Sequence, residues 1–174
     1  MLSDIITEKL KTIKMLIMDV DGTMTDGGMY YSSDGDSLKK FHVRDGMGIV
    51  LLHKAGISTG IITSENSPIV QKRAEKLNIN HIILGSRNKT QSITLMAEKA
   101  GFAPHEIAYI GDDINDIPCL QFAGFSAIPF DSPVLLTDIA DYICKKKGGD
   151  GAIREVCELI LTAQKKPLTL PEQW

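Results

Sequence analysis

Lys14-Met-Leu-Ile-Met-Asp-Val-Asp-Gly-Thr-Met-Thr25 is a short apolar run that stops in two carboxylates and a glycine. The run has the length and flanking turn signal of a buried parallel-sheet strand. Asp19 and Asp21 then stand at the mouth of that strand, one residue apart. Two such acids repel each other unless a cation or an electrophile uses them, because neither is neutral at pH 7 without a large pKa shift. Mg2+ is the expected cation, and an α/β sheet protein is the expected frame.

Downstream, strand-like and helix-like stretches alternate at the pace of parallel α/β proteins. Between Gly28 and Val43 the pattern differs. Met29-Tyr-Tyr31 and Leu38-Lys-Lys-Phe-His-Val43 flank the turn signal Ser32-Ser-Asp-Gly-Asp36, which reads as a small β-hairpin inserted after strand one. Helices are expected over 45–55, 68–77 (with Ser67 as N-cap), 89–100, 115–122 and 152–164. Strands are expected over 58–62, 81–84, 107–110, 125–128 and 142–144. The fold class is thus a Rossmann-like parallel sheet of five or six strands flanked by helices, with no large cap domain.

The chain has 174 residues, enough for one domain, here 1–174 with the hairpin at 28–43 and a tail at 165–174. Its 43% hydrophobic and 24% charged residues are those of an ordinary globular protein. A net charge of −3 excludes a broad surface for nucleic acid or anionic membrane, and no apolar stretch is long enough to span a bilayer. Residues 1–14 mix charge with apolar side chains and do not read as a signal peptide, so a cytoplasmic chain is expected. Cys119, Cys144 and Cys157 show no paired spacing and read as core thiols. The four histidines likewise lack metal-ligand spacing.

In an open parallel sheet the ligand crevice lies beyond the carboxyl ends of the strands. Just past those ends stand Asp19 and Asp21, then Thr63-Ser-Glu65, then Gly85-Ser-Arg-Asn-Lys89, then Gly111-Asp-Asp-Ile-Asn-Asp116. Acids, a hydroxyl and a lysine converging on one rim are the parts for phosphoryl transfer. A carboxylate can attack phosphorus only if metal and cationic donors spread the charge on the phosphoryl oxygens. Lys89 and Thr63 could supply those donors. Asp112, with Asp19 and a carbonyl near Asp21, offers the hard oxygen ligands that Mg2+ takes.

These four segments, in order, resemble the motifs of the haloacid dehalogenase-like hydrolase superfamily. Thr25-Asp-Gly-Gly28, Phe41-His-Val-Arg-Asp-Gly-Met-Gly48, Arg73-Ala-Glu-Lys-Leu77 and Gly148-Gly-Asp-Gly-Ala-Ile-Arg-Glu-Val156 resemble, more narrowly, the 3-deoxy-D-manno-octulosonate 8-phosphate phosphatases. The resemblance implies Asp19 as nucleophile and Asp21 as general acid and then base. It further implies Thr63 and Lys89 as holders of the phosphoryl oxygens, Asp19, Asp21 and Asp112 as the metal site, and Asp113 and Asp116 as supports for the metal's waters and for Lys89. The loop His42, Val43, Arg44, Asp45, Gly46 and the side chain of Arg73 are implied to face a sugar acid. The hairpin is implied to assemble a tetramer whose neighbouring copy covers an open site.

One position departs from the octulosonate pattern: Glu65 stands where those enzymes usually carry arginine. Together with Arg73 and Lys76, Glu65 resembles phosphatases of nine-carbon keto-deoxy sugar acid 9-phosphates. A carboxylate there would repel a substrate carboxylate but could accept hydrogen bonds from hydroxyls or an amide. The eight-carbon substrate ranks first, on His42–Gly46 and the C-terminal segment.

Two other classes share parts of this pattern. A phospho-accepting signalling domain also combines an acceptor Asp, metal-binding acids, a hydroxyl and a lysine, but its acceptor does not need the second acid two residues on. A non-catalytic tetramerising module would not need the full set of reactive side chains. Gly148-Gly-Asp-Gly151 fits no dinucleotide loop and reads as a plain turn, and Lys145-Lys-Lys147 reads as a solvated face.

Overall fold

The structure, a computed structural model, describes residues 3–33 and 35–170. Asp34 of the expected hairpin turn and residues 171–174 of the expected tail lie outside them. Helix α1 (Asp4–Thr12) precedes strand β1 (Met15–Met18); the hairpin strands β2 (Tyr30–Ser32) and β3 (Gly35–Leu38) follow. Then come α2 (Val43–Lys54), β4 (Ser58–Ile62), α3 (Pro68–Lys76), β5 (His81–Ile83), α4 (Lys89–Ala100) and β6 (Ile107–Ile110). The last elements are α5 (Ile117–Phe122), β7 (Phe125–Ile128), β8 (Tyr142–Ile143) and α6 (Ala152–Ala163).

Six strands form one parallel sheet in the order β5-β4-β1-β6-β7-β8, while β2 and β3 pair antiparallel in a separate ribbon. Strand β1 is central and fully buried, because successive side chains feed two different cores. Leu16 and Met18 join Ile49, Val70 and Ile153 on the face covered by α1, α2, α3 and α6. Met15 and Ile17 join Ile93, Met96 and Leu120 on the face covered by α4 and α5. All three cysteines are buried free thiols.

Several elements differ from expectation, each for a local reason. Residues 4–12 are a helix that the charge-mixed segment concealed: Ser3 Oγ accepts from Ile6 N at 3.3 Å, and Leu10 anchors the buried face. Helix α2 starts at Val43, not at 45, so the expected substrate loop His42–Gly46 is largely its first turn, with His42 at the extended N-cap position. Ser67 occupies the N-cap position of α3, yet its side chain makes no capping bond and its Oγ has no partner among the described residues. The helix expected from 115 is a 3-10 turn (Ile114–Asp116) leading into α5.

Gly148-Gly149 is more than a plain turn. A Cβ on Gly148 would lie 1.7 Å from the Gly22 carbonyl oxygen, and one on Gly149, which sits at φ +58°, would lie 2.3 Å from the Asp26 nitrogen. The two glycines therefore let this turn lie directly on the loop that follows β1. Gly149 N also donates to Thr23 O at 3.0 Å.

Candidate active site

The carboxyl ends of β1, β4 and β6 and the first residue of α4 bring Asp19, Thr63, Asp112, Asp116 and Lys89 onto one rim. Parallel pairing sets the register: Met18 lies opposite Ile61 on one side and Ile110 on the other, so the residues just beyond these strands emerge side by side. Lys89 opens α4, where Asn88 caps the helix by accepting from Gln91 N at 3.0 Å. Its ammonium, almost fully buried, reaches Asp19 Oδ1 and Asp116 Oδ1, each at 2.6 Å. Asp116 is fully buried and its other oxygen accepts the main-chain N–H of Asp112 at 3.1 Å and of Asp113 at 3.3 Å. This close approach requires Gly111, on which a Cβ would lie 2.3 Å from Asp116 Cγ.

Tyr109, which sequence reasoning missed, completes the network: its buried hydroxyl donates to Asp116 Oδ1. On β6 it reads as an ordinary core aromatic, and its partner lies across a turn, so no local signal marks it. Burial, and then Asp116, push its phenol well above the ordinary range, so it stays a donor.

Oxygens of Asp19, Asp112 and Asp116 lie within 4.8 Å of one another. Among the described residues, three carboxylates against the Lys89 ammonium leave an excess of negative charge at a poorly solvated spot. Burial, then Asp116, push the Asp19 carboxyl well above its ordinary range, with Lys89 opposing. Asp112 is pushed up to about 6 by burial and by Asp116. Burial alone would lower the Lys89 ammonium, but Asp19 and Asp116 outweigh it and hold it above its usual value. A donor set of hard anionic oxygens with uncompensated charge suits a small divalent cation. Because Asp116 already serves Lys89, Tyr109 and two amides, Asp19 and Asp112 are the carboxylates left to meet a metal. Thr23 Oγ1 donates to Asp112 Oδ1 at 3.0 Å and orients it.

The remaining expected residues divide into those the structure brings to the rim and those it does not. Thr63 is buried at the end of β4, its hydroxyl accepting from Glu65 N at 3.3 Å, and Glu65 itself is exposed beside it. The Asp21 side chain pairs with Lys39, 2.6 Å away, and is not among the carboxylates whose oxygens gather within 4.8 Å of one another. Asp113 does not reach Lys89: it is exposed and caps the 3-10 turn, accepting from Ile114 N at 2.7 Å. Asp45 is buried and accepts from Arg154 N at 2.8 Å, tying the start of α2 to α6; burial raises its carboxyl. Gly46 leaves room for Arg73, whose guanidinium lies 5.4 Å from the Phe41 ring centroid and donates to His42 O at 3.4 Å. Val43 and Arg44 are exposed. Lys76 is exposed on the last turn of α3, about 12 Å along the helix from Pro68 and thus away from the rim.

A groove of about 1110 Å³ lies along α6 between His42, Arg44, Asp150 and Leu168, and Asp19, Asp112 and Asp116 do not line it. On the rim itself Asp19, Thr63, Lys89 and Asp116 are all buried.

The haloacid dehalogenase-like hydrolase family matches residues 42–124. The 3-deoxy-D-manno-octulosonate 8-phosphate phosphatase of Escherichia coli K12 is 41% identical over 158 residues, covering 91% of this chain and 84% of that protein. The chain belongs to the haloacid dehalogenase-like hydrolases, in their octulosonate 8-phosphate phosphatase branch. Solved structures agree. That of the Moraxella catarrhalis octulosonate 8-phosphate phosphatase, in complex with magnesium ion, phosphate ion and KDO, is 42% identical with a TM-score of 0.89, covering 92% of each chain. The cobalt-bound Haemophilus influenzae phosphatase is 38% identical with a TM-score of 0.89, covering 90% of this hydrolase and 92% of that chain.

Proposed function

We propose that this hydrolase is a Mg2+-dependent phosphatase that converts 3-deoxy-D-manno-octulosonate 8-phosphate to the free sugar acid and phosphate through an aspartyl-phosphate. The observation that carries the reading is the buried Asp19 carboxylate, held by Lys89 beside Asp112, with a second acid two residues on. A lone buried carboxylate would be structural, but a carboxylate with a fixed cation on one side and a second acid nearby in the chain is equipped to attack and to shuttle protons.

Asp19 attacks phosphorus as the bond to the sugar oxygen breaks, and Asp21 delivers its proton to that oxygen. Asp21 then takes a proton from the water that displaces phosphate from Asp19. Lys89 and the Thr63 hydroxyl hold the phosphoryl oxygens, and Asp116 with Tyr109 holds Lys89. Asp19, Asp112 and a carbonyl at Asp21 would hold Mg2+, which would supply charge neutralisation between two approaching anions. His42 to Gly46, at the start of α2, and Arg73 on α3 would orient the sugar acid.

The hairpin supports a homo-oligomer, a tetramer by the family resemblance. Met29, Tyr30, Tyr31 and Leu38 are all exposed on it, an apolar surface that a second copy would cover together with the rim. Lys76, remote from its own rim, would act only on a neighbour's.

Exposed Glu65 beside Thr63 favours a second reading, a nine-carbon sugar acid 9-phosphate. Phosphate release with Mg2+ across octulosonate 8-phosphate, nine-carbon 9-phosphates and unrelated sugar phosphates decides. If the nine-carbon acid is preferred, Glu65→Arg should lower its kcat/KM by roughly 1 to 3 kcal/mol through unpaired donors. If the octulosonate is preferred, the same change should leave its turnover nearly intact. Stoichiometric labelling without turnover would instead mark a phospho-accepting signalling domain.

A further inference from the structure

The segment leaving the hairpin returns to the loop after β1 and is fastened there by three consecutive residues. Phe41 forms an antiparallel bridge with Thr25. Lys40 pairs with Asp26 at 3.2 Å on an exposed face. Lys39 does something different: its side chain is 1% exposed, and its ammonium donates to Asp21 Oδ1 at 2.6 Å.

We propose that Lys39 is the positioning residue for proton transfer by Asp21. The inference rests on the reading of Asp21 as acid and base in a phosphatase. Taking an ammonium out of water is costly unless it is closely paired, and a mere clip needs no such expense, since the Lys40 pair and the Phe41 bridge already hold the segment. The buried charge is directed at the acid next to the nucleophile. By engaging one oxygen, Lys39 fixes the carboxylate plane and keeps Asp21 out of the Asp19, Asp112 and Asp116 cluster. The second oxygen, Oδ2, is buried and has no hydrogen-bond partner among the described residues, so it is the one left to meet the leaving oxygen and then the attacking water. The hairpin thereby contributes a side chain to the chemistry as well as a surface.

The test uses the full chain with Mg2+ and excess enzyme, following single-turnover release of the leaving group. Octulosonate 8-phosphate has a sugar oxygen that must be protonated; 4-nitrophenyl phosphate has a leaving group that need not be. Lys39→Met should slow sugar release by a factor on the order of 10 to 10² and leave nitrophenol release within about threefold of wild type. Lys39→Arg should recover most of the sugar release. In an Asp21→Asn background, Lys39→Met should add no further slowing. Lys40→Met should leave both rates unchanged. Equal slowing of both esters by Lys39→Met, or additive slowing in the Asp21→Asn background, overturns the proposal. Where Lys39→Met does not fold, Lys39→Gln, which keeps a donor without charge, carries the same comparison. A wild-type protein inactive on both esters overturns the phosphatase reading beneath the proposal, whereas an active one with uniform loss overturns the proposal alone.

Discussion

Lys89 and Asp116 are each bound to two or more side chains and are almost wholly excluded from solvent, whereas on the hairpin Tyr31 is 66% and Leu38 64% exposed. The rim spends buried charge, held by mutual pairing, on a geometry that needs no second molecule to exist. The hairpin does the reverse, exposing apolar surface that only another surface can cover. The difference teaches that the ordering of the rim side chains belongs to the core of one chain, whereas the exposed hairpin face is left for another surface to cover.

The sharpest way to break that division is at the nucleophile. Asp19→Asn should lower turnover by a factor on the order of 10⁴ or more, because the amide fills the same volume but cannot attack phosphorus. Circular dichroism and oligomeric mass should match wild type. Turnover that persists would remove Asp19 from the chemistry.

A smaller loss is expected one shell further in. Asp116→Asn should cost roughly 10 to 10² in kcat, since Lys89 would keep only one carboxylate partner. Tyr109→Phe should cost about tenfold, with KM changing less than kcat, because the hydroxyl acts through Asp116 and Lys89 and not on bound sugar. If Tyr109→Phe changed melting temperature alone, the network would be structural.

The charge excess also has a thermal signature. A carboxyl with a folded pKa of about 6, such as Asp112, against about 4 when unfolded binds more protons folded than unfolded between those values. It therefore removes stability as pH rises through that window, and the raised Asp19 acts in the same direction. Metal-free protein should melt lower at pH 7 than at pH 5. Mg2+ at about 100 times its Kd should raise the pH 7 melting temperature by roughly 5 to 10 °C and the pH 5 value by less. An equal metal shift at both pH values would argue against binding by these carboxylates.

The smallest intramolecular effect should come from the other region. Tyr31→Asp combined with Leu38→Asp should reduce the assembled mass in sedimentation while changing intrinsic stability by only about 0.5 kcal/mol, as surface changes do. An unchanged mass would separate the hairpin from assembly.

Much of the rim was legible because a buried parallel strand is a conspicuous apolar run, and the ligand-facing residue is simply the next one along. That reasoning located Asp19, Thr63, Lys89 and Asp112 without any tertiary knowledge. It assigned Asp113 and Asp116 alike, because spacing alone does not say which carboxylate turns inward beneath Gly111. Lys39 was hidden in a Lys-Lys pair that looks solvated, and its burial depends on how the hairpin folds back over the loop after β1. Helix α1 did carry a signal, Ser3 before Asp4 with Ile6, Leu10 and Ile13 at helical spacing, which the alternating charges obscured.

The contact between Gly148-Gly149 and the loop holding Gly22 and Asp26 joins stretches from near the two ends of the chain. Until Gly148 and Gly149 have been synthesised, the loop that carries Asp21 has its contacts with Lys39, Phe41 and Asp112 but not with this turn. Contacts of such long sequence separation form late, after the sheet they rest on. A nascent chain halted before Gly148 should thus hold most of the sheet and still lack this backing for the loop after β1, which would be cut faster by protease than in the finished fold.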